Sequence, residues 1–433
     1  MAEIRPLRAW RYNRELAADI ESLTSPLFDV VSQRQRESLY HNPYNSIHLS
    51  VPASSNPSMA VKKTIEEWKA NGKIVQDIVP GIYAYYQYFS LRGSTKEYCR
   101  KGFVCFIKAY DWNENVILRH ENTMPYSVND RKEILEASQL NVSPTHGLYT
   151  DPSHQIEEWL DESMKNPIYE TEDYQGVRDK LSVIHDVPTI NKIIEIIRDK
   201  EIILADGHHR YEGSMLYRNE LKSSPDHDEQ AGYNYHMMYL TNTESDDLRI
   251  LPTHRLINGI EGLEESQLLQ ALEEDFIIKT VENVNDIPDI ILGKKWAFGL
   301  IINDNCYKIR LKPEKIETMT WNFPEAIKEL DLTIMHYFLF EKILKIPGRD
   351  QRSSRHISFE RNFTACHTKV IKGESQFAVI TKDIPIETVK QVCHSGYTLP
   401  QKSTYFYPKA ICGFLFGSIK EDEFKSPADS SFQ

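Results

Sequence analysis

Four side chains suited to holding an anion or a cation fall within five residues of this sequence: Asp206, His208, His209 and Arg210, interrupted only by Gly207. Arg210 brings a planar fork of donors that matches phosphate or carboxylate. The two histidines add further positive or hydrogen-bonding groups. Asp206 is a carboxylate that would bind a divalent cation such as Mg2+ travelling with phosphates, or orient one of the histidines. Gly207 lets the backbone come close to whatever is bound. The chemistry this set suits best is the seating of a phosphate or another anion.

These residues need a scaffold that aims them at one place, and the flanking sequence supplies it. Residues 202–205 (I-I-L-A) have the length and apolar content of a buried strand, and Asp206-Gly207 is a turn pair. From Arg210 onward, Tyr211, Met215 and Leu216 give a helix one apolar side. The cluster therefore sits where a strand hands over to a helix N-terminus, with unpaired backbone N–H groups and the positive end of the helix dipole. Ligands in α/β folds collect at such carboxyl ends of strands. The plainer alternative is that Asp206 caps the helix, Gly207 serves the turn and the rest are exposed polar residues.

The whole chain has 433 residues, enough for two or three domains, with 40% hydrophobic and 26% charged residues. A net charge of -12 and a pI near 5.7 argue against broad nucleic-acid binding, which needs a basic face. No signal-peptide pattern opens the chain, and no apolar run approaches the ~18 residues of a membrane span, so the expectation is a cytoplasmic protein. Six scattered cysteines without a C-x-x-C pair read as reduced, buried thiols. Nothing in the sequence sets an oligomeric state.

Residues 60–71 read as an amphipathic helix, and 82–89, 103–109 and 116–118 as strands, the simplest arrangement being a meander with 111–115 as a hairpin link. The last of these strands runs into Arg119-His120-Glu121, a second polar cluster at a strand end. Helices are expected over 130–140, 154–165 and 190–198, and strands over 180–184, 235–240 and 248–251. The last delivers His254 and Arg255, a further pair of anion contacts beside the plainer reading of His254 as a satisfied histidine. Beyond lie a helix over 264–276, a hairpin of 296–302 with 306–311, one long helix pattern over 324–344, a strand 375–380, a helix 387–394 and a strand 411–416. The stretch K-S-T-Y-F-Y-P-K at 402–409 is dense in donors and suits a pocket wall, without the glycines of a Walker loop.

The motif A-D-G-H-H-R-Y-E at 205–212 resembles the hallmark of a bacterial and archaeal family known as a domain of unknown function. The resemblance extends to I-R-P-L-R-A at 4–9, S-P-L-F-D-V-V-S at 25–32, N-P-Y at 42–44, R-H-E at 119–121, I-L-P-T-H-R at 250–255 and 402–409. Leu27-Phe28 departs from a more usual Pro-Tyr but leaves Asp29 in place. Gly213 stands where a helix former is usual, which is expected to loosen the helix by about 1 kcal/mol. More distantly, D-G-H-H-R after a strand is similar to the signature of the ParB and sulfiredoxin superfamily, which includes free-serine kinases and binds nucleotide phosphates at this turn.

That resemblance implies an α+β fold, with mixed sheets, flanking helices and a central ParB/sulfiredoxin-like unit. The expected division is 1–165, an N-terminal α+β region; 166–260, the unit carrying the motif; 261–419, a C-terminal α+β region; and 420–433, a disordered tail. It also implies a small-molecule kinase acting on the hydroxyl of free L-serine, with ATP or ADP as donor and Mg2+ as cofactor. Gly207 and the backbone of 208–210 would cradle phosphates, with His208, His209 and Arg210 neutralising the transferring group and Asp206 holding the metal. His254 and Arg255 would contact phosphate or substrate carboxylate. The base that takes the hydroxyl proton would be Glu121, with Asp186 and Glu212 as alternatives. Two further classes remain: a nucleotide-binding regulatory protein of ParB type, and a metal-dependent phosphatase or hydrolase. Against the last, adjacent His208 and His209 lack the i, i+4 spacing of paired metal ligands.

Overall fold

The apolar run before Asp206 and the tyrosine-rich segment near residue 85 are strands of one nine-stranded sheet, seen in a computed structural model that describes residues 1–28, 30–91, 94–400 and 402–432. Asp29 of the sequence motif lies outside the described residues. The sheet runs Ile117–Arg119, Ile202–Asp206, Thr145–Tyr149, Tyr235–Asn242, Glu97–Lys108, Tyr83–Ser90, Arg178–Leu181, Tyr169–Glu172, with Ile4–Arg5 added beside Glu97–Lys108. It is mixed: Ile202–Asp206 is parallel to Ile117–Arg119 and antiparallel to Thr145–Tyr149.

Its central strands are buried on both faces. Val104 and Phe106 face one apolar cluster, Phe103 and Cys105 the other, and Met237 to Leu240 alternate in the same way, as a period of two demands. Helix Pro57–Ala70 closes the first face with Val61, Ile65 and Trp68, while Val187–Arg198 closes the second with Ile190, Ile193, Ile194 and Ile197. Each such side chain contributes about 1.5–3 kcal/mol on burial.

These elements belong to the first of two compact units, formed by 1–119, 123–248 and 408–433; the second comprises 120–122 and 249–407. The second has its own antiparallel sheet, in the order Phe276–Val281, Asn305–Leu311, Ala297–Ile302, Phe377–Ile380, His254–Ile257, Ile357–Glu360. The fold is a mixed α+β one.

Several expectations are corrected. The meander does not form, because Glu97–Lys108 has neighbours on both sides, leaving no edge for Ile117–Arg119. Instead a 3-10 turn at Trp112–Glu114 and left-handed Asn115 carry the chain to the edge beside Ile202. The expected long helix over 324–344 is three pieces: Glu325–Lys328, Asp331–Ile334 and a π-helix, Met335–Ile343. Leu330 is extended between the first two, and the Asp331 carboxylate accepts the Trp296 N–H at 2.6 Å. The expected strand over 411–416 makes only isolated bridges, Cys412 to Ser25 and Phe416 to Trp10, around left-handed Gly413. The expected disordered tail is anchored at its start. Glu423 accepts from Trp10 Nε1 at 2.8 Å and from Lys69, and Phe424 packs on Phe106 and Tyr235.

Gly213 also has a use that helix propensity does not reveal. A Cβ there would lie 3.0 Å from the backbone nitrogen of Lys132 and 3.2 Å from the Val128 carbonyl oxygen, so glycine lets His208–Lys222 lie against Pro125–Ser138 backbone to backbone.

Candidate functional site

Strand Ile202–Asp206 ends and helix His208–Lys222 begins with a single residue between them, Gly207, at φ +90°. Only glycine adopts that conformation freely, and the space is closed as well: a Cβ at Gly207 would sit 2.6 Å from the Thr145 methyl. The tight turn brings Asp206 and Arg210 together. Arg210 Nη2 donates to Asp206 Oδ2 at 3.1 Å, and Nη1 donates to Ser143 Oγ at 2.9 Å and the Pro144 carbonyl at 2.7 Å. The fork expected to hold an anion thus binds protein groups and pins the first helical turn to the segment before Thr145–Tyr149. The other Asp206 oxygen, Oδ1, accepts from Lys409 Nζ. Burial alone would raise the Asp206 carboxyl, but Lys409 and Arg210 overrule it and hold the group well below the usual carboxylate range. One carboxylate between two cations leaves a net positive charge at the helix N-terminus.

Lys409 belongs to a polar row that crosses the sheet on one face. Asp206 is registered with His146, His146 with Tyr239, Arg100 with Gln87, and Gln87 with Asp179. The His146 ring stacks on Tyr239 at 5.2 Å, and the Arg100 guanidinium lies 5.5 Å over the same tyrosine. Residues 408–409 cover the row: Arg100 donates to the Pro408 carbonyl, and Gln87 Nε2 donates to the Lys409 carbonyl at 2.9 Å. Burial, helped by Arg100 and Lys409, keeps His146 neutral by lowering its pKa far below the usual imidazole value. Burial pushes the Asp179 carboxyl up to about 7, although Tyr85 and Gln87 both donate to it. Sequence reading missed Arg100, Asp179 and His146. The available signal was a charged or polar residue at an inward-facing position of an otherwise apolar strand.

The remaining expected site residues divide between the units. In the first, His208 is buried as the opening helical residue. His209 Nε2 accepts the Met124 backbone N–H at 3.0 Å, and Glu212 Oε2 accepts from the Thr123 hydroxyl at 2.6 Å, so both hold the entry to helix Pro125–Ser138. Arg119 lies beside Leu204 in the parallel ladder, which brings the end of the second polar cluster's strand next to the motif strand. Asp186 caps helix Val187–Arg198 by accepting from the Thr189 N–H at 2.9 Å.

In the second unit, Glu121 forms a bridge to Leu399. Arg255 is fully buried, its guanidinium 5.3 Å over the Phe359 ring; burial brings its pKa down to about 9, against the pull of Glu121. His254 is a neutral acceptor. Its Nδ1 takes the Thr381 N–H at 3.2 Å, and burial, then Arg255, lowers its pKa to about 4. It offers no positive charge to an anion near neutral pH. Asp206 does not fit the expected role of Mg2+ ligand, because each of its oxygens already faces a cation. Among the described residues, no group of three or more His, Cys, Asp or Glu side chains is placed to hold a metal ion.

A family described as a protein of unknown function, DUF1015, matches residues 4–333. The chain belongs to the DUF1015 family. No curated protein matches it. Among solved structures, this DUF1015 chain is similar to a conserved hypothetical protein from Pyrococcus furiosus, at 13% identity and a TM-score of 0.38, covering 74% of this chain and 97% of that one. A free serine kinase in complex with AMP gives 12% identity and a TM-score of 0.38, with 74% and 93% covered. SbnI with a C-terminal truncation, from Staphylococcus aureus, gives 12% identity and a TM-score of 0.36, with 74% and 90% covered. No helix among the described residues is long and apolar enough to cross a membrane.

Proposed function

We propose that this protein is a small-molecule kinase whose phosphate seat is the turn from Asp206 to Arg210, with ATP or ADP as donor and free L-serine as the hydroxyl acceptor. One observation carries the reading. A left-handed glycine opens a 15-residue helix beside two cations that share a single, largely buried carboxylate, so the first helical N–H groups lie in a positive surrounding partly shielded from water. Phosphoryl transfer asks mainly for positioning and charge neutralisation, which such a seat supplies. In this reading Asp206 positions Lys409 and Arg210, and the likeness of D-G-H-H-R to the ParB and sulfiredoxin signature supports the same assignment. Any Mg2+ would come with the donor's phosphates and supply charge neutralisation there. Glu121→Gln, Asp186→Asn and Glu212→Gln variants test which carboxylate accepts the hydroxyl proton.

The test is phosphorus NMR of the purified chain with Mg2+, ATP or ADP, and L-serine. A new phosphomonoester signal that requires serine and is lost in Asp206→Asn is the expected outcome. Unchanged nucleotide with serine, and with a panel of other hydroxyl compounds, would remove the kinase reading. The full engagement of Asp206 by Lys409 and Arg210 favours, as a second reading, a nucleotide-binding regulatory role without transfer. Nucleotide retention without turnover would then be observed.

A further inference from the structure

The second unit contains a cavity of about 620 Å³, within the range of small-molecule sites, and none of the residues 206–210 lines it. Its wall mixes polar and aliphatic residues with three large aromatic side chains. Trp321, Phe323 and Phe359 are all half-buried and line it. The indole is fixed: Trp321 Nε1 donates to Glu341 Oε2 at 3.0 Å, the same oxygen accepts from the Gly348 N–H at 2.6 Å, and the ring meets Tyr337 edge-on at 5.3 Å. Fixed aromatic faces suit a flat ring, because little side-chain freedom is lost when the ring enters.

His336 and Glu341 reach the cavity from the π-helix Met335–Ile343, a geometry often found at functional sites. The His336 tautomer follows from its neighbours. Gln351 Nε2 donates to the His336 and Ile346 carbonyls at 3.0 and 2.8 Å, which fixes the amide so that Gln351 Oε1 faces His336 Nδ1 at 2.7 Å as an acceptor. Nδ1 therefore carries the proton and Nε2 is a bare acceptor. His336 is only 5% exposed, and its Nε2, which has no hydrogen-bond partner among the described residues, is itself closed to solvent, so a ligand reaches it only where the cavity wall gives way. Burial and the nearby Arg255 hold the ring neutral, so a ligand that satisfies Nε2 must bring an N–H or O–H donor. Cationic Arg349 and Arg352 also line the cavity; Arg349 is well exposed, 3.7 Å from Asp350, while Glu341 is committed to the indole and Gly348.

We infer that this cavity binds a planar heteroaromatic ring carrying an amino group and an anionic substituent, the chemistry of an aminated nucleoside monophosphate. The ring lies against Trp321, Phe323 and Phe359, its amino N–H is donated to His336 Nε2, and its anionic end is directed to Arg349 and Arg352. The inference stands apart from the phosphotransferase reading, since it concerns the second unit alone.

Equilibrium dialysis of the full chain against AMP, adenosine and purine riboside 5′-monophosphate, which lacks only the amino group, tests it. AMP is expected to bind at least tenfold more tightly than either analogue, with affinity falling at least tenfold in Trp321→Ala and severalfold in Arg349→Glu. Arg349 is on the surface, so its variant keeps the fold if the tryptophan variant does not. Absence of AMP binding at millimolar concentration, or AMP binding unchanged in both variants, overturns the site. Equal binding of the deaminated nucleotide overturns the donor to His336, and equal binding of adenosine overturns the anionic end. None of these readings depends on whether a phosphoserine signal appears.

Discussion

The motif turn of the first unit and the cavity wall of the second hold their polar groups differently. In the first, most polar groups at the motif turn face another protein group, Arg210 Nε excepted: Asp206 lies between Lys409 and Arg210, Arg210 is shared with Ser143 and Pro144, and His209 and Glu212 hold residues 123–124. In the second, Gln351 fixes one nitrogen of His336 and leaves the other without a partner in the wall of the cavity. A dense motif is therefore not the same as an open one. The first arrangement stores positive potential in a rigid frame, and the second keeps a specific hydrogen-bonding demand unmet.

The sharpest way to break this contrast is Lys409→Met. If the first unit relies on mutual satisfaction of charge, this variant leaves Asp206 with Arg210 alone and should lower stability by about 3–5 kcal/mol in urea unfolding. Adding Asp206→Asn should recover part of that loss, a coupling of roughly 1–3 kcal/mol. A single-variant loss within surface-substitution range would mean that the row is a set of spectators.

Asp179 sharpens the comparison through pH. Its folded pKa of about 7 lies above the ordinary value of 3.8, so the folded state holds a proton that the unfolded chain releases in between. The contribution is fully present below about pH 4 and is lost as pH rises through 7, with a slope of up to about 1.4 kcal/mol per pH unit. In Asp179→Asn that slope should vanish from thermal-melt profiles taken across the window, and an unchanged profile would assign the dependence elsewhere.

Gly207→Ala is expected to cost roughly 1–3 kcal/mol for the left-handed backbone, with Thr145 displaced besides, measurable as a fall in Tm. The smallest effect belongs to the rim of the second unit. Arg349→Ala should leave stability within about 0.5 kcal/mol, because its ion pair with Asp350 is exposed, while AMP binding in dialysis weakens.

Local signals were legible and distant ones were not. Residues 202–205, Asp206-Gly207 and the spacing of Tyr211 and Met215 specify strand, turn and helix from neighbours alone, and Ile202–Asp206 with His208–Lys222 follow that pattern. The hairpin of Ala297–Ile302 and Asn305–Leu311 is equally local, closing over left-handed Asn303. The break at Leu330 is not local, since it depends on Asp331 meeting Trp296, and neither is the widening into a π-helix. At the motif, four adjacent residue types announced a polar site, but their orientation was set by Ser143, Thr145 and Lys409, which no spacing rule connects to residue 206. His254 looked like an anion contact until its lone pair was found on the Thr381 N–H.

The separation of 203 residues between Asp206 and Lys409 has a consequence for synthesis. A nascent chain emerging from the ribosome exposes the D-G-H-H-R segment long before residue 409 exists, and by Tyr407 it has already completed the sequence of the second unit. Until the last stretch arrives, Asp206 has one cation instead of two, and Arg100 and Gln87 lack the carbonyls of residues 408–409. Residues 408–433 therefore act as a late closing strap for the first unit. A ribosome stalled short of them would carry a motif whose charge has not yet turned positive.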